Sequence, residues 1–331
     1  MRKVIVTGGA GFIGSALVRA LVARGDSRIH VVDNFLTGSE QNLAEVSSEI
    51  ELHRTDIRNY DQLVPVFDGA DTVFHLAAIP SVPRSIRQPV TSHEVNIDGT
   101  FNVYRAAAET RVRRVIYAAS SSAYGDTQVL PKTETMLPNP RSPYAAQKLM
   151  GEYYASVFKL SFGLETVSLR FFNVYGERQD PSSPYSGVIS LFLTAILDRR
   201  PPTIFGDGQQ SRDFTYVEDV IALVLKAADA SRLTRTCYNA GNGGRYTLNE
   251  VWQYLQRLEG VDIVPLYGPP REGDVRDSQA DTTAARTDLG HSPNYTLEEG
   301  LRRTLIWYRT MHVRGVPEPA KIDGPIAASP R

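Results

Sequence analysis

Tyr144 and Lys148 stand four residues apart in SPYAAQK, directly after a Ser-Pro pair. Ser142 is a favourable N-cap and Pro143 a favourable first helical residue, so the sequence predicts a helix that begins there. Residues four apart share one helical face, which lets a phenol and an ammonium reach the same small volume. Such a pair could carry a proton. By itself the spacing is common, and an exposed amphipathic helix is the plainer explanation.

A second set of residues changes that balance. TGGAGFIGS, residues 7 to 15, places Gly8, Gly11 and Gly14 three apart, and Gly9, Gly11 and Gly14 also satisfy G-x-G-x-x-G. Glycines between a strand and a helix allow a tight turn, a close backbone approach to a pyrophosphate and close helix packing. The exposed N–H groups at the helix start attract the anion. Asp33 ends the next β-branched run. A carboxylate there accepts hydrogen bonds from ribose hydroxyls and repels a 2′-phosphate, which predicts NAD rather than NADP as cofactor. Asp56, two residues beyond ELHR, is placed to meet the adenine, and a loop aspartate is the alternative.

These residues need a scaffold, and the order of elements supplies one. Strands are expected at 3–7, 29–33, 51–54, 71–75, 113–118 and 164–170, with helices at 12–24, 60–67, 93–110 and 142–161. Repeated strand–helix–strand units imply an α/β fold with a doubly wound parallel sheet, of Rossmann type, and near-continuous apolar strands fit burial on both faces. From about residue 175, Gly and Pro punctuate RQDPSSPYSG, RRPPTIFGDGQQ and YGPPREGD, around helices at 217–229 and 247–258. The expected organisation is a dinucleotide-binding domain at 1–175 with later segments interleaved, a smaller α/β substrate-binding part at 176–312, and a flexible tail at 313–331.

The 331 residues carry 36 Lys and Arg against 37 Asp and Glu, so overall charge gives no reason to expect a nucleic acid or an anionic membrane as partner. One cysteine, Cys237, excludes an internal disulfide and a cysteine-based zinc site, and no metal is expected. No apolar run approaches a membrane span and no signal peptide is recognisable, so a cytoplasmic location is expected.

With these pieces in view, the chain resembles the extended short-chain dehydrogenase/reductase family, and within it the UDP-hexose 4-epimerases. The resemblance rests on TGGAGFIGS, DNFLTG, HLAAIPSVPRS, NIDGTFN, SSSAYGD, YAAQK, RFFNVYG, RQDPSSPYSG, GDGQQSRDFTYVEDV and REGDVRDSQAD, in the usual order over about residues 3 to 310. It implies that Tyr144 is the catalytic acid/base, with Lys148 holding the nicotinamide ribose and Ser120 as the catalytic hydroxyl. Ser121 and Ser122 follow in the same run, and any of the three could touch the reacting oxygen. A free phenol titrates near pH 10, about 4 kcal/mol too high for a base at neutrality, and the Lys148 ammonium and the nicotinamide charge would both lower it.

The cofactor contacts that the resemblance implies are Gly8, Gly11, Phe12, Ile13, Gly14, Asp33, Asn34, Phe35, Thr37, Gly38, Asp56, Ile57, Leu76, Ala77, Ala78, Asn96, Tyr144, Lys148 and Phe172. For Asn96 a buried structural amide is the alternative. The implied substrate contacts are Ser81, Arg84, Ser121, Ser122, Asn173, Val188, Phe192, Arg212, Arg271, Asp274 and Ser278. Arg212 and Arg271 would grip the diphosphate through planar forks, Asn173 would meet the diphosphate-sugar region, and Val188 and Phe192 would line the uracil pocket unless they are core. Ser278 falls where a small residue admits an N-acetyl group on the sugar's second carbon.

The implied reaction oxidises the 4-hydroxyl to a transient 4-keto sugar, which turns and is reduced on its other face. Related 4,6-dehydratases place Asp-Glu after the catalytic threonine, and UDP-glucuronate decarboxylases keep a glutamate nearby. Ser121 and Ser122 stand there instead, which favours epimerisation. Substrates in view are UDP-glucose and UDP-galactose, the UDP-N-acetylhexosamines, and UDP-glucuronate, whose carboxylate Arg84 could meet. A UDP-glucuronate 4-epimerase or decarboxylase and a non-catalytic NAD-binding regulator are the competing readings. Family members are often homodimers through paired helices, for which 93–110 and 142–161 are the candidates.

Overall fold

A computed structural model describes residues 2–180, 187–270 and 275–313. Short apolar runs become strands, and stretches with one apolar face become helices laid on them. The first half runs β1 (Arg2–Thr7), α1 (Phe12–Arg24), β2 (Ser27–Asp33), β3 (Ile50–Arg54), α2 (Tyr60–Phe67) and β4 (Thr72–His75). It continues with α3 (Val82–Arg87), α4 (Pro89–His93), a π-helical turn over Glu94–Gly99, α5 (Thr100–Glu109), β5 (Arg114–Ser120), α6 (Pro143–Phe162) and β6 (Glu165–Phe171). The second half contains β7 (Asn173–Tyr175), α7 (Val188–Leu197), β8 (Thr203–Phe205), β9 (Ser211–Arg212), β10 (Phe214–Tyr216), α8 (Val217–Asp229) and β11 (Cys237–Ala240). It closes with β12 (Tyr246–Thr247), α9 (Leu248–Glu259), β13 (Leu266–Gly268), α10 (Thr283–Leu289) and α11 (Leu297–Val313).

Seven strands form one parallel sheet in the order β11-β6-β5-β4-β1-β2-β3. Its two faces are covered separately. One apolar cluster joins Val4, Val6 and Val31 to Leu17, Val18 and α8, while the other joins Ile5, Val32 and Val73 to Leu63, Val103 and Phe158. Burial on both faces explains why the strands read as unbroken apolar runs rather than as alternations. The expected doubly wound α/β sheet is the one observed. Among the described residues no helix is long and apolar enough to cross a membrane.

Three pairs of short strands, β7 with β10, β9 with β12 and β8 with β13, carry the second half. It does not stand apart from the first: β11 pairs with β6 along Cys237–Ala240, adding a seventh strand to the sheet. The guanidinium of Arg114, on β5, is buried and donates to the carbonyls of Ala227 and Ala228 at the end of α8, both at 2.8 Å.

Several elements were not expected. β11 has no β-branched residue, and α7 (VISLFLTAIL) is too uniformly apolar to show a helical period. The helix expected at 93–110 starts earlier, at Pro89, and is interrupted by the π turn. Arg271, Asp274, most of RQDPSSPYSG and all but the first residue of the expected tail lie outside the described residues.

Candidate functional site

β1 delivers the chain into a loop that only glycine can follow. Gly8 adopts φ +71°, and a Cβ there would lie 2.6 Å from the Ala77 nitrogen. A Cβ on Gly14 would lie 2.0 Å from the Gly8 carbonyl oxygen. The loop is thus pressed against the end of β4 below and against α1 above. Gly11 caps α1, and the first-turn N–H groups of Phe12, Ile13 and Gly14 have no intrahelical acceptor. Donors at a helix start, in a hollow that any side chain would fill, fit a pyrophosphate.

Asp33, at the end of β2, is nearly buried. Its carboxylate accepts from the backbone N–H of Ala10 at 2.9 Å and of Phe35 at 2.8 Å. Burial pushes its pKa up against those two donors. Each oxygen keeps a further lone pair for a ribose hydroxyl. Asp56 accepts from the Asn34 amide at 2.7 Å and from the Arg58 guanidinium at 2.8 Å, which fixes the rim beside it. The cradle and Asp33 together fit a dinucleotide cofactor.

This cradle opens into a cleft of about 1570 Å³. Its walls include Gly8, Gly11, Phe12, Ile13, Gly14, Asp33, Asn34, Thr37, Asp56, Ile57, Leu76, Ala77 and Ala78 at the dinucleotide end. Ser81, Arg84, Ser120, Ser121, Ser122, Tyr144, Lys148, Phe172, Asn173, Arg212 and Ser278 line the rest. One concavity therefore joins residues as far apart in the chain as Gly8 and Ser278.

At its centre α6 meets the end of β5. Ser142 caps α6 by accepting from the Ala145 N–H at 3.2 Å, and Pro143 follows, as the sequence predicts. Lys148 is buried, and its ammonium donates to the Ala118 carbonyl at 2.8 Å while lying 5.0 Å over the Tyr117 ring. Tyr144 is half-buried, with Ser120 in hydrogen-bonding reach of its phenol. Ser122 Oγ donates to Ser120 Oγ at 2.8 Å, so Ser120 is the member of the serine run that joins tyrosine to serine.

The electrostatics differ from the expectation. Burial pushes the Tyr144 phenol up to about 12, with Ser120 working against it, and pushes the Lys148 ammonium down to about 7. Loss of hydration disfavours either charge held alone, and it is the leading cause of both shifts. Phenolate beside ammonium becomes favourable only as a pair.

The opposite wall comes from the second half. Arg212 on β9 donates to the carbonyls of Ser211 at 2.9 Å and Arg276 at 3.1 Å. The N–H of Ser278 donates to the Ser211 carbonyl at 3.0 Å, tying both wall residues together. Beneath them lies Asp213, fully buried, which accepts from the N–H groups of Asn242, Gly243 and Ala280 at 2.8–3.0 Å. Phe172 is backed by Tyr124, whose ring lies 6.2 Å away and whose hydroxyl donates to Asn239 at 2.6 Å.

Five expected contacts do not reach the cleft wall. Phe35 turns its ring beneath Arg54, 4.9 Å from the guanidinium. Gly38 packs on Ala10, where a Cβ would come within 2.9 Å of backbone, and so acts on the glycine loop only from behind. Asn96 is a buried structural amide: it accepts from Ile79 N–H at 2.8 Å and donates to the Gln147 side chain at 2.9 Å. Phe192 belongs to the core, edge-on to Trp252, and Val188 packs against the same cluster. Leu191, on the other face of α7, lines the cleft instead.

Three positioning residues escaped the sequence reading. Ser85 Oγ accepts from the Tyr144 N–H at 3.1 Å, Gln147 anchors Asn96, and Asp213 holds the far wall. Each stands as a polar residue inside a motif of the sequence, SVPRS, YAAQK and QQSRDF, and that is the signal that could have found it.

A parallel sheet with a glycine cradle after its first strand, and a Tyr-Lys pair facing a serine across one cleft, defines an extended short-chain dehydrogenase/reductase. Residues 4–241 match the model of the NAD dependent epimerase/dehydratase family. The UDP-glucose 4-epimerase of Mycolicibacterium smegmatis is 37% identical over 312 residues, covering 93% of this chain and 98% of that protein. The chain belongs to the NAD dependent epimerase/dehydratase family. Its fold is similar to the UDP-N-acetylglucosamine 4-epimerase from Methanobrevibacter ruminantium, solved with UDP-N-acetylmuramic acid, at TM-score 0.89 and 36% identity over 94% of this chain and 99% of that one. It is similar also to the UDP-glucuronic acid 4-epimerase from Bacillus cereus, solved with UDP-glucuronic acid and NAD, at TM-score 0.85 and 31% identity over 93% and 99% of the two chains. The chain is thus an epimerase-type enzyme that uses NAD.

Proposed function

We propose that the chain interconverts 4-epimers of a UDP-hexose through a transient 4-keto sugar, using tightly held NAD. The observation that carries this reading is the convergence of Tyr144, Ser120 and Lys148 in the cleft that also holds the glycine cradle, with no carboxylate at positions 121 and 122. When bound, NAD supplies the reversible hydride acceptor that the chemistry needs. The glycine cradle would take its pyrophosphate, Asp33 its adenosine ribose, and Lys148 its nicotinamide ribose.

The rest falls to side chains of this chain. Tyr144 takes the proton from the sugar's 4-hydroxyl and later returns one, with Ser120 holding that oxygen. Lys148 supplies the positive charge that makes phenolate tolerable in a buried place. Arg212 binds the diphosphate, so the nucleotide stays fixed while the sugar is free to turn. In this division of labour the dinucleotide belongs to residues 1–175 and the UDP anchor to 176–312, with Arg271 and Asp274 proposed to join Arg212 there.

Ser278 favours a site that admits UDP-N-acetylhexosamines beside UDP-glucose and UDP-galactose. Arg84, also in the cleft wall, supports UDP-glucuronate as the second candidate. The test is to incubate the protein with UDP-glucose, UDP-N-acetylglucosamine and UDP-glucuronate separately and resolve the products. Each accepted sugar yields its 4-epimer. Carbon dioxide from UDP-glucuronate would identify a decarboxylase instead, and no isomer from any of them ends the proposal. In a Ser278→Tyr variant, turnover of the N-acetylated substrate should fall about tenfold or more while UDP-glucose is spared.

We also propose a cytoplasmic homodimer. The outer face of α6 leaves Met150, Tyr153, Val157 and Leu160 exposed at helical spacing, beside Phe101 of α5. An apolar stripe of that kind is an interface composition rather than a solvated surface.

A further inference from the structure

Outside the cleft lining, three ligand-type side chains meet on strands β2 and β3. His30 and Glu51 are register partners on these parallel strands, and His53 lies two residues beyond Glu51 on the same face. The imidazole nitrogens His30 Nδ1 and His53 Nε2 are 3.0 Å apart. Glu51 brings one carboxylate oxygen within 3.5 Å of the first and the other within 3.4 Å of the second. Among the described residues this is the one group of His, Cys, Asp or Glu ligand atoms close enough to share an ion.

The triangle has the size a tetrahedral metal needs. With metal–nitrogen and metal–oxygen bonds of about 2.0–2.2 Å, adjacent ligand atoms stand about 3.4 Å apart. The nitrogen–oxygen separations match, each to a different Glu51 oxygen, and one ligand atom from each residue lies within 4.8 Å of the other two. The rings are nearly coplanar, at 9°, with their nitrogens face to face, so an ion would widen the third edge and turn both rings toward Glu51. Two imidazoles and a carboxylate leave a fourth position for water and suit zinc over magnesium or calcium.

We propose that His30, Glu51 and His53 form a zinc site that clamps β3, the edge strand of the sheet, to β2. Both imidazoles are held below their ordinary pKa, first by burial, which favours the neutral form that ligates. The cations facing the site are Lys3, whose ammonium is engaged by the Asp68 carbonyl at 2.8 Å, and Arg28. The clamp sits three residues before Asp33 on one strand and three before Asp56 on the other, so it steadies the dinucleotide end of the cleft without touching it.

The test uses the full chain, free of any histidine tag, stripped with a chelator and titrated with Zn²⁺ against a chromophoric competitor. The expected result is one zinc per chain, with affinity about tenfold or more weaker in both His53→Gln and Glu51→Gln. Zinc should raise the Tm of the parent and leave those variants unmoved. Circular dichroism and NAD content, which the site does not contribute to directly, report that each variant is folded. Co²⁺ should give the intense visible absorption of a four-coordinate centre. Sub-stoichiometric binding to the parent, or equal affinity in the variants, overturns the proposal and leaves an imidazole pair that shares only a proton.

Discussion

Lys148 is tied to Ala118: its ammonium donates to that carbonyl at 2.8 Å, fixing a helix-borne cation beside the strand that ends two residues later in Ser120. The lysine therefore approaches Tyr144 along a path set by α6 and β5 together. In a Lys148→Met variant the phenolate loses its counter-charge, so the acid limb of the pH–rate profile should move to higher pH and kcat should fall about 10²–10⁴-fold. A fall in kcat with the limb unmoved would mean that Lys148 serves only to hold the cofactor.

Tyr144→Phe removes a hydroxyl whose neighbour in the cleft is Ser120, while leaving the ring and the backbone N–H bond to Ser85 in place. Epimerisation should drop about 10²–10⁴-fold with NAD content and Tm near those of the parent. Activity within about threefold of the parent would remove tyrosine from the chemistry and revive the reading as a non-catalytic NAD-binding regulator.

Asp33 accepts two backbone N–H groups and faces the cleft. Asp33→Asn keeps the shape but loses the charge. NAD affinity should fall about 10–100-fold, the cost of a hydrogen bond to a charged group, while NADP binding should be weakened less or improved. Equilibrium dialysis with both dinucleotides measures this, and an unchanged preference would be contrary evidence.

The apolar stripe on α6 leads to a solution experiment. Val157→Glu places a charge among Tyr153, Leu160 and Phe101 and should turn a sedimenting dimer into a monomer while preserving the fold. A parent that already sediments as a monomer refutes the proposed assembly.

His75 predicts how the protein responds to acid. It is fully buried between Thr7 Oγ1 at 2.8 Å and Thr100 Oγ1 at 3.0 Å, and burial, with Lys148 adding to it, pushes its pKa down to about 3. Below pH 6.5 the unfolded chain binds a proton there that the folded chain refuses. Stability is therefore lost as pH falls from 6.5 toward 3, by up to about 4–5 kcal/mol from this residue. His291, held down to about 4, adds in the same direction. Urea midpoints between pH 8 and 4 should show the slope, and His75→Gln should flatten it.

The parts legible in the sequence are those set by local rules. The cap at Ser142, the four-residue spacing of Tyr144 and Lys148, the glycine loop and Asp33 each follow from backbone geometry within one strand–helix unit. Whether a side chain faces a cleft or a core depends on what packs against it, which is why local pattern alone neither places the Phe35 ring nor decides between pocket and core for Phe192. Leu191 and Phe192 are neighbours on one apolar helix, and only the arrival of Trp252 decides which of them is buried. Asp213 stands out as a polar residue inside QQSRDF, but its role stays hidden for a similar reason. The three N–H groups that it accepts come from segments 29 to 67 residues further along the chain. Tyr144 shows the same limit in its chemistry. The sequence identifies the neighbouring charge, but not the loss of water that opposes it.

The contribution of β11 to the central sheet constrains how this enzyme can be altered. Because Cys237–Ala240 completes the same sheet that carries the cradle, the half of the chain proposed to grip the nucleotide cannot be exchanged as a cassette. A chimera joined near residue 175 would replace one of the two neighbours of β6 and the two carbonyls that Arg114 meets, so the new segment would have to supply both. New sugar preferences are therefore reached by replacing single side chains along the cleft, within a frame that both halves must complete.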